Sequence, residues 1–296
     1  MIGKKDEYMN NEKTIMNRDL FAKWISSICE APLLAIPTFI ILNLSLNMNN
    51  FLIIETICLL FATIIPISVI LLWGKTKGVE KDFPIKETRN FPLLMATAIY
   101  LLGTYLLWLF QANPLTIVLM FCYASNTLIV FFINLKWKIS VHSMGVAGPT
   151  TALMFINPWF FILGLLGPLV MWSRITLKKH TVAQVLAGSI FGYLLTAIQI
   201  YYLTKLLDFN ANVEFSLILM IIVGLSLYPL ILSLASYLKD KKIHRGYIRL
   251  ISLLTVFGSL LIFLSFFSFI PIIALVFSVS IFLSLAFFGG LDFFKI

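Results

Sequence analysis

The chain contains three histidines, and two of them stand among cations. His142 follows Lys136-Trp137-Lys138-Ile139-Ser140-Val141, and His180 follows Ser173-Arg174-Ile175-Thr176-Leu177-Lys178-Lys179. Each marks the point where a polar stretch gives way to an apolar one, at the start of an expected helix. A helix N-terminus offers N–H groups and a positive dipole end to an anion. Lys and Arg beside it neutralise phosphate oxygens, and Arg can fork two of them. One imidazole can then attack phosphorus while another protonates the leaving oxygen. These residue types therefore point to phosphate chemistry. They imply no metal and no cofactor, because Mg²⁺ chemistry would need carboxylates, and acidic residues near the two clusters are few. A lone histidine beside lysine reads as an interfacial anchor; two such clusters on one face favour an anion site. His244, among Lys239, Lys241, Lys242 and Arg245, reads as a solvated surface residue.

Composition defines the elements that must hold these residues. Of 296 residues, 60% are hydrophobic and 12% charged, and the mean hydropathy is +0.98. Soluble domains sit near 45–50% apolar and about 25% charged, so a single soluble domain is excluded. At about 20 apolar residues per crossing, the chain reads as all-α, a polytopic integral membrane protein of about ten transmembrane helices. The expected spans are 22–46, 51–73, 92–112, 114–134, 142–156, 158–172, 181–204, 214–236, 248–268 and 270–290. Turn chemistry breaks them at Asn47–Asn50, Asn113-Pro114, Asn157-Pro158 and Pro271. Spans five and six are short. Asn-Pro between them favours a hairpin over one fused helix, and short helices imply a recessed cavity lined by protein at their ends. This gives a tail over 1–20, a transmembrane core over 21–210 and additional C-terminal helices over 211–296. Residues 1–20 are polar and lack the apolar h-region of a cleavable signal.

The 22 Lys+Arg exceed the 13 Asp+Glu, a net charge of +9. No basic stripe with interleaved aromatics lies outside the loops, so no nucleic-acid partner is expected. When the loops are sorted by side, only Lys205 falls opposite the other basic residues. That excess places both termini and the candidate site on the cytoplasmic face of the cell membrane. Cys29, Cys58 and Cys122 lie far apart in apolar stretches and read as packing. Gly145-Val146-Ala147-Gly148-Pro149 and Gly164-Leu165-Leu166-Gly167-Pro168 repeat a small-residue pattern that lets helices approach closely.

The sequence here resembles a family, the type 2 phosphatidic-acid phosphatase superfamily of membrane phosphatases, over roughly residues 50–205. Its third motif, SRxxxxxHxxxD followed by VLAG, is matched by Ser173-Arg174, His180, Gln184 and Val185-Leu186-Ala187-Gly188. Its second motif, PSGH, is partly matched by Ile139-Ser140-Val141-His142. Its first motif, KxxxxxxRP, is not intact. The resemblance implies a helical-bundle core and metal-independent hydrolysis of a lipid phosphate or isoprenoid diphosphate, with a membrane lipid as substrate. His180 would be the nucleophile forming a phosphohistidine and His142 the general acid. Ser140 and Arg174 would hold phosphate oxygens. Lys138, two residues before Ser140, is assigned to the lysine of the missing first motif. Arg89, in a loop returning to the same face, is either a phosphate contact or an ordinary loop charge.

Gln184 stands where the family has an aspartate. At i+4 from His180 its amide can still fix the ring's tautomer, but it supplies no charge. This leaves a slower phosphatase, a carboxylate from elsewhere, or a lipid-phosphate binding or transport protein without hydrolysis. Glu30, inside the first span, is either that carboxylate or a packing residue. Glu55, near the outer end of the second span, reads as exposed at the interface.

Overall fold

The computed structural model describes residues 16–46, 50–78 and 86–208, with part of 214–226. Among these residues every regular element is helical, as the all-α reading expects. The first segment is α1 (Met16–Ile28) and α2 (Ala31–Ser45), bent by 51° at their junction. Pro32 explains the break. Within a continuous helix its ring would strike the carbonyl four residues back, and it has no N–H to donate. Glu30 instead takes an extended conformation, φ −66° and ψ 136°, and begins α2.

The second segment runs through α3 (Phe51–Leu59), a π turn (Leu60–Ile64) and α4 (Ile65–Lys77). The π turn lies just ahead of Pro66, whose missing donor interrupts the ladder there. α4 stops at Gly78, which takes the left-handed conformation, φ 60°, that a Cβ would disfavour. A 3₁₀ turn at Lys86–Arg89 leads into α5 (Asn90–Leu109). α6 (Pro114–Lys136) begins with Pro at its first position, and Asn113 Oδ1 accepts from Leu115 N at 2.9 Å. α7 (Val141–Met154) ends before Asn157, which caps a 3₁₀ turn (Pro158–Phe160). α8 (Phe161–Gly164), α9 (Leu166–Thr176) and α10 (Val182–Leu206) complete the described elements.

Five helices are long and apolar enough to cross a membrane: Phe51–Lys77, Glu87–Leu109, Pro114–Lys136, Pro158–Thr176 and Val182–Leu206. The bent α1–α2 pair makes six if it is one span. The described residues therefore do not reach the expected count of about ten. The expected span 142–156 is α7, whose 14 residues rise only about 21 Å against a hydrocarbon core of about 30 Å. The expected spans 214–236, 248–268 and 270–290, with His244, lie largely or wholly outside the described residues.

α7 lies at the centre of the bundle. Every residue from Ser143 to Met154 is buried, and α2, α6, α9 and α10 all pack on it. Its small residues make this possible. A Cβ on Gly145 would stand 2.8 Å from Ala31 Cα, and one on Gly192 of α10 would stand 3.0 Å from the Met144 carbonyl oxygen. α5 packs mainly on α6 at the side. Outward faces expose Leu52, Leu72, Leu101, Leu102, Trp108 and Phe132. An apolar surface of that kind is compatible with an integral membrane protein. The chain turns at Asn157-Pro158 so that α9 packs against α7. This hairpin brings the start of α7 and the end of α9 to the same end of the bundle.

Candidate anion site

The segment Thr181-Val182-Ala183-Gln184 is a capping box. Thr181 Oγ1 accepts from Gln184 N at 3.4 Å, and Gln184 Oε1 accepts from Thr181 N at 3.1 Å. Ser or Thr followed three residues later by Glu or Gln satisfies two otherwise orphaned donors at a helix start. The box also orients the amide, because a backbone N–H requires the oxygen to face it. His180 Nδ1 lies 3.1 Å from the same Oε1. An acceptor at that distance requires Nδ1 to carry the proton. Neutral His180 is therefore the Nδ1–H tautomer, with its lone pair on Nε2.

The loop before α7 is tied to the same helix. Ser140 N donates to the Gln184 carbonyl at 3.2 Å. Gly188 lets the backbones meet, since a Cβ there would collide with the Ser140 carbonyl. Ser140 is fully buried and caps α7, its Oγ accepting from Ser143 N at 3.4 Å and from Ser143 Oγ at 3.0 Å. Lys138 Nζ donates to the Lys179 carbonyl at 3.2 Å, strapping the two loops together.

Two arginines converge here from other parts of the chain. Arg174 is 2% exposed, and its Nη1 donates to Ser26 Oγ of α1 at 2.7 Å. Arg89, at the N-terminus of α5, donates from Nη1 to the Ile139 carbonyl at 3.2 Å and to Asn134 Oδ1 at 3.5 Å. Asn134 in turn donates to Asn90 Oδ1 at 3.0 Å. Arg89 is thus drawn into the cluster and is not a solvated loop charge. Burial pulls His180 down from its ordinary value to about 3, helped by repulsion from Arg89, Arg174 and Lys138 and opposed by the Gln184 hydrogen bond. The ring is therefore neutral at physiological pH.

Arg89, His142 and Arg174 line a cavity of about 180 Å³ that continues between the helices past Leu119, Cys122, Tyr123 and Tyr100. One water needs only about 10–15 Å³ on this measure, so the cavity admits a group of many atoms. Glu30 lines it as well. Lys138, Ser140, His180 and Gln184 are not among its lining residues. His180 instead meets this region through the arginines they share.

Glu55 is 6% exposed and not at an open interface. Asn43 Nδ2 donates to Glu55 Oε2 at 2.8 Å, and Thr116 Oγ1 donates to Asn43 Oδ1 at 2.7 Å, which draws the carboxyl inward between three helix ends. Cys29, Cys58 and Cys122 are buried free thiols. Among the described residues no three His, Cys, Asp or Glu side chains gather as a metal ion would need. Sequence reasoning did not anticipate Ser26, Asn90, Asn134 or Thr181. Only Thr181 carried a readable signal, its spacing to Gln184. Comparison with family models, with curated proteins and with solved structures returned no match to this chain.

Proposed function

We propose that the chain is a membrane phosphatase of the type 2 phosphatidic-acid phosphatase superfamily, acting on a lipid phosphate or isoprenoid diphosphate without a metal. The observation that carries this reading is the convergence of Arg89, Arg174 and Lys138 on His180, whose neutral form presents Nε2. Like charges gathered in this way repel one another, and a phosphate among them offsets that repulsion. The cavity supports a lipid substrate. Arg89 to Tyr100 spans eleven residues of helix, about 16 Å, so a headgroup at the arginines would place its tail between the spans.

In this reading His180 Nε2 attacks phosphorus, and the bond from phosphorus to the ester or bridging oxygen breaks. That oxygen takes the proton of His142. Water then attacks the phosphohistidine and returns a proton to His142, and the N–P bond breaks to release phosphate. His180 keeps its Nδ1–H throughout, held by Gln184. Arg174, Arg89 and Lys138 neutralise the phosphoryl oxygens, and Ser140 holds the loop that carries Lys138. The excess of Lys and Arg in the loops supports a site and termini on the cytoplasmic face of the cell membrane, and the length of apolar sequence supports a bundle of about ten spans. A second reading, lipid-phosphate binding or transport without hydrolysis, is favoured by Gln184, which gives the ring no charge to balance the forming N–P bond. The comparable loss of an aspartate's charge in a triad costs about 10⁴ in rate, partly through the tautomer.

The test is phosphate release from a panel of lipid phosphates and isoprenoid diphosphates by the purified full chain in detergent with chelator. Release that disappears in His180→Ala supports hydrolysis. Background release with Arg174-dependent binding of the labelled lipid supports the second reading.

A further inference from the structure

Two imidazoles in one phosphoryl transfer must enter it in opposite protonation states. The nucleophile must be neutral, and His180 is. The acid must arrive protonated, although two of the cations that depress His180 also stand beside the cavity of His142. Arg89 and Arg174 line the same cavity as His142. A nearby carboxylate is what opposes them.

Glu30 is the one acidic residue among those lining that cavity. Two contacts bracket its position. Four residues earlier, Ser26 Oγ accepts from Arg174 Nη1 at 2.7 Å. One residue later, Ala31 packs directly on Gly145, three residues beyond His142 on α7, with Ala31 Cα 2.8 Å from where a Gly145 Cβ would stand. Glu30 therefore sits between the arginine and the start of α7. Its backbone occupies the N-cap of α2, yet its carboxylate makes no capping bond, the usual local use of an acid there. The side chain lines the cavity instead.

We infer that Glu30 is the charge-supplying and positioning residue for His142, keeping that imidazole protonated so that it can act as the acid. The inference rests on the phosphatase reading above. It divides the work of the missing motif aspartate: Gln184 fixes the tautomer of His180, and Glu30 supplies negative charge to the other histidine. The proton lost by His142 to the leaving oxygen returns from water. The charged and titratable groups on the elements around α7 are Glu30 at the α1–α2 break, Arg174 on α9, Arg89 before α5, Lys136 and Lys205 at the ends of α6 and α10, and Lys138, Lys178, Lys179 and His180 in the adjoining loops. α6 and α10 add the neutral groups of Tyr123, Cys122 and Tyr193.

With three histidines in the chain, imidazole-labelled protein in detergent resolves each ring by NMR, and His142→Gln identifies its signal. His142 in the unsubstituted chain should titrate above about 6.5, the ordinary value. In Glu30→Gln its midpoint should fall by at least one unit, about tenfold in proton affinity, while His180 stays unchanged and Glu30→Asp keeps most of the effect. Turnover of a lipid phosphate should show kcat falling about 10–100-fold in Glu30→Gln. The alkaline limb of the rate should move down by the same amount, and KM should not rise. A His142 midpoint below 6.5 in the unsubstituted chain overturns the inference whether or not Glu30→Gln folds, as does a midpoint indifferent to the substitution. If the midpoint responds but no phosphate is released, Glu30 keeps its role and the phosphatase reading falls. If phosphate is released and the midpoint does not respond, the reverse holds.

Discussion

The two ends of the bundle both bury charged or strongly polar side chains, and they treat them in opposite ways. At one end Asn43, Glu55 and Thr116 join the ends of three helices through hydrogen bonds of 2.8 and 2.7 Å. None of the three lines the cavity. That cluster closes on itself and works as a clasp. At the other end three cations and two histidines gather beside a cavity that runs into the bundle. There the polar groups hold one another in place while leaving space among them. A buried polar group is costly unless satisfied, and the clasp satisfies Asn43 and one oxygen of Glu55 from its own chain while Glu55 Oε1 makes no hydrogen bond. The open end leaves a cavity beside its charged groups.

Substitutions should separate the two ends, most sharply at His180. His180→Ala should reduce phosphate release to background in detergent. The comparison weakens if Glu55→Gln does the same. Arg174→Ala and Arg89→Ala should each lower kcat by about 10²–10³-fold, the usual loss when one donor to a developing oxyanion is removed. Steady-state kinetics on a lipid phosphate would read this, and retention of full rate would break the assignment of these residues to the anion.

Gly188→Ala tests how tightly the open end is built. The Cβ would meet the Ser140 carbonyl, a backbone atom that has little room to yield. The cost should be about 1–3 kcal/mol with a matching loss of activity, measured by thermal unfolding and assay on one preparation.

Acid should also act on this end. His180 titrates at about 3 when folded against about 6.5 when unfolded. Between those values the unfolded chain takes up a proton that the folded chain refuses. Stability is therefore full above about 6.5 and falls as the pH drops toward about 3. At pH 5 the loss from this group is about 2 kcal/mol. His180→Gln should flatten the slope in a thermal-shift series from pH 7 to 5, and an unchanged slope would count against the burial of a neutral ring.

The smallest effect is expected at the clasp. Glu55→Gln keeps an acceptor for Asn43 and should leave turnover unchanged. Glu55→Leu removes it, and the stranded amide should cost about 1–3 kcal/mol without altering KM. A kinetic effect of Glu55→Leu on a folded protein would show that the ends are coupled.

How much of this was legible in the sequence follows from how local each signal is. The segments 51–77, 114–136 and 182–206 were readable because their apolar runs end at Asn50, Lys77, Asn113-Pro114, Lys136 and Thr181, all local turn or charge signals. The hairpin at Asn157-Pro158 was readable for the same reason. His142, Arg174 and His180 stood out because charge is scarce in so apolar a chain. The bend at Cys29–Glu30 was missed although Pro32 announces it, because hydropathy runs unbroken across it. Arg89 could not be assigned from sequence, since its partners Asn134 and Ile139 are 45 and 50 residues away. Glu55 was misread for a related cause. Its burial depends on Asn43 and Thr116, and no window of sequence contains all three.

The encasement of α7 has a consequence for where the protein can work. A lipid-facing helix answers a change in bilayer thickness by tilting, and hydrophobic mismatch then alters what it presents at its end. α7 is buried from Ser143 to Met154 by its neighbours, so its depth is set by protein contacts and not by the acyl chains of the host membrane. The heights of Ser140 and His142 relative to Arg174 are thereby isolated from the bilayer, and the site should keep its geometry in thin and thick membranes alike.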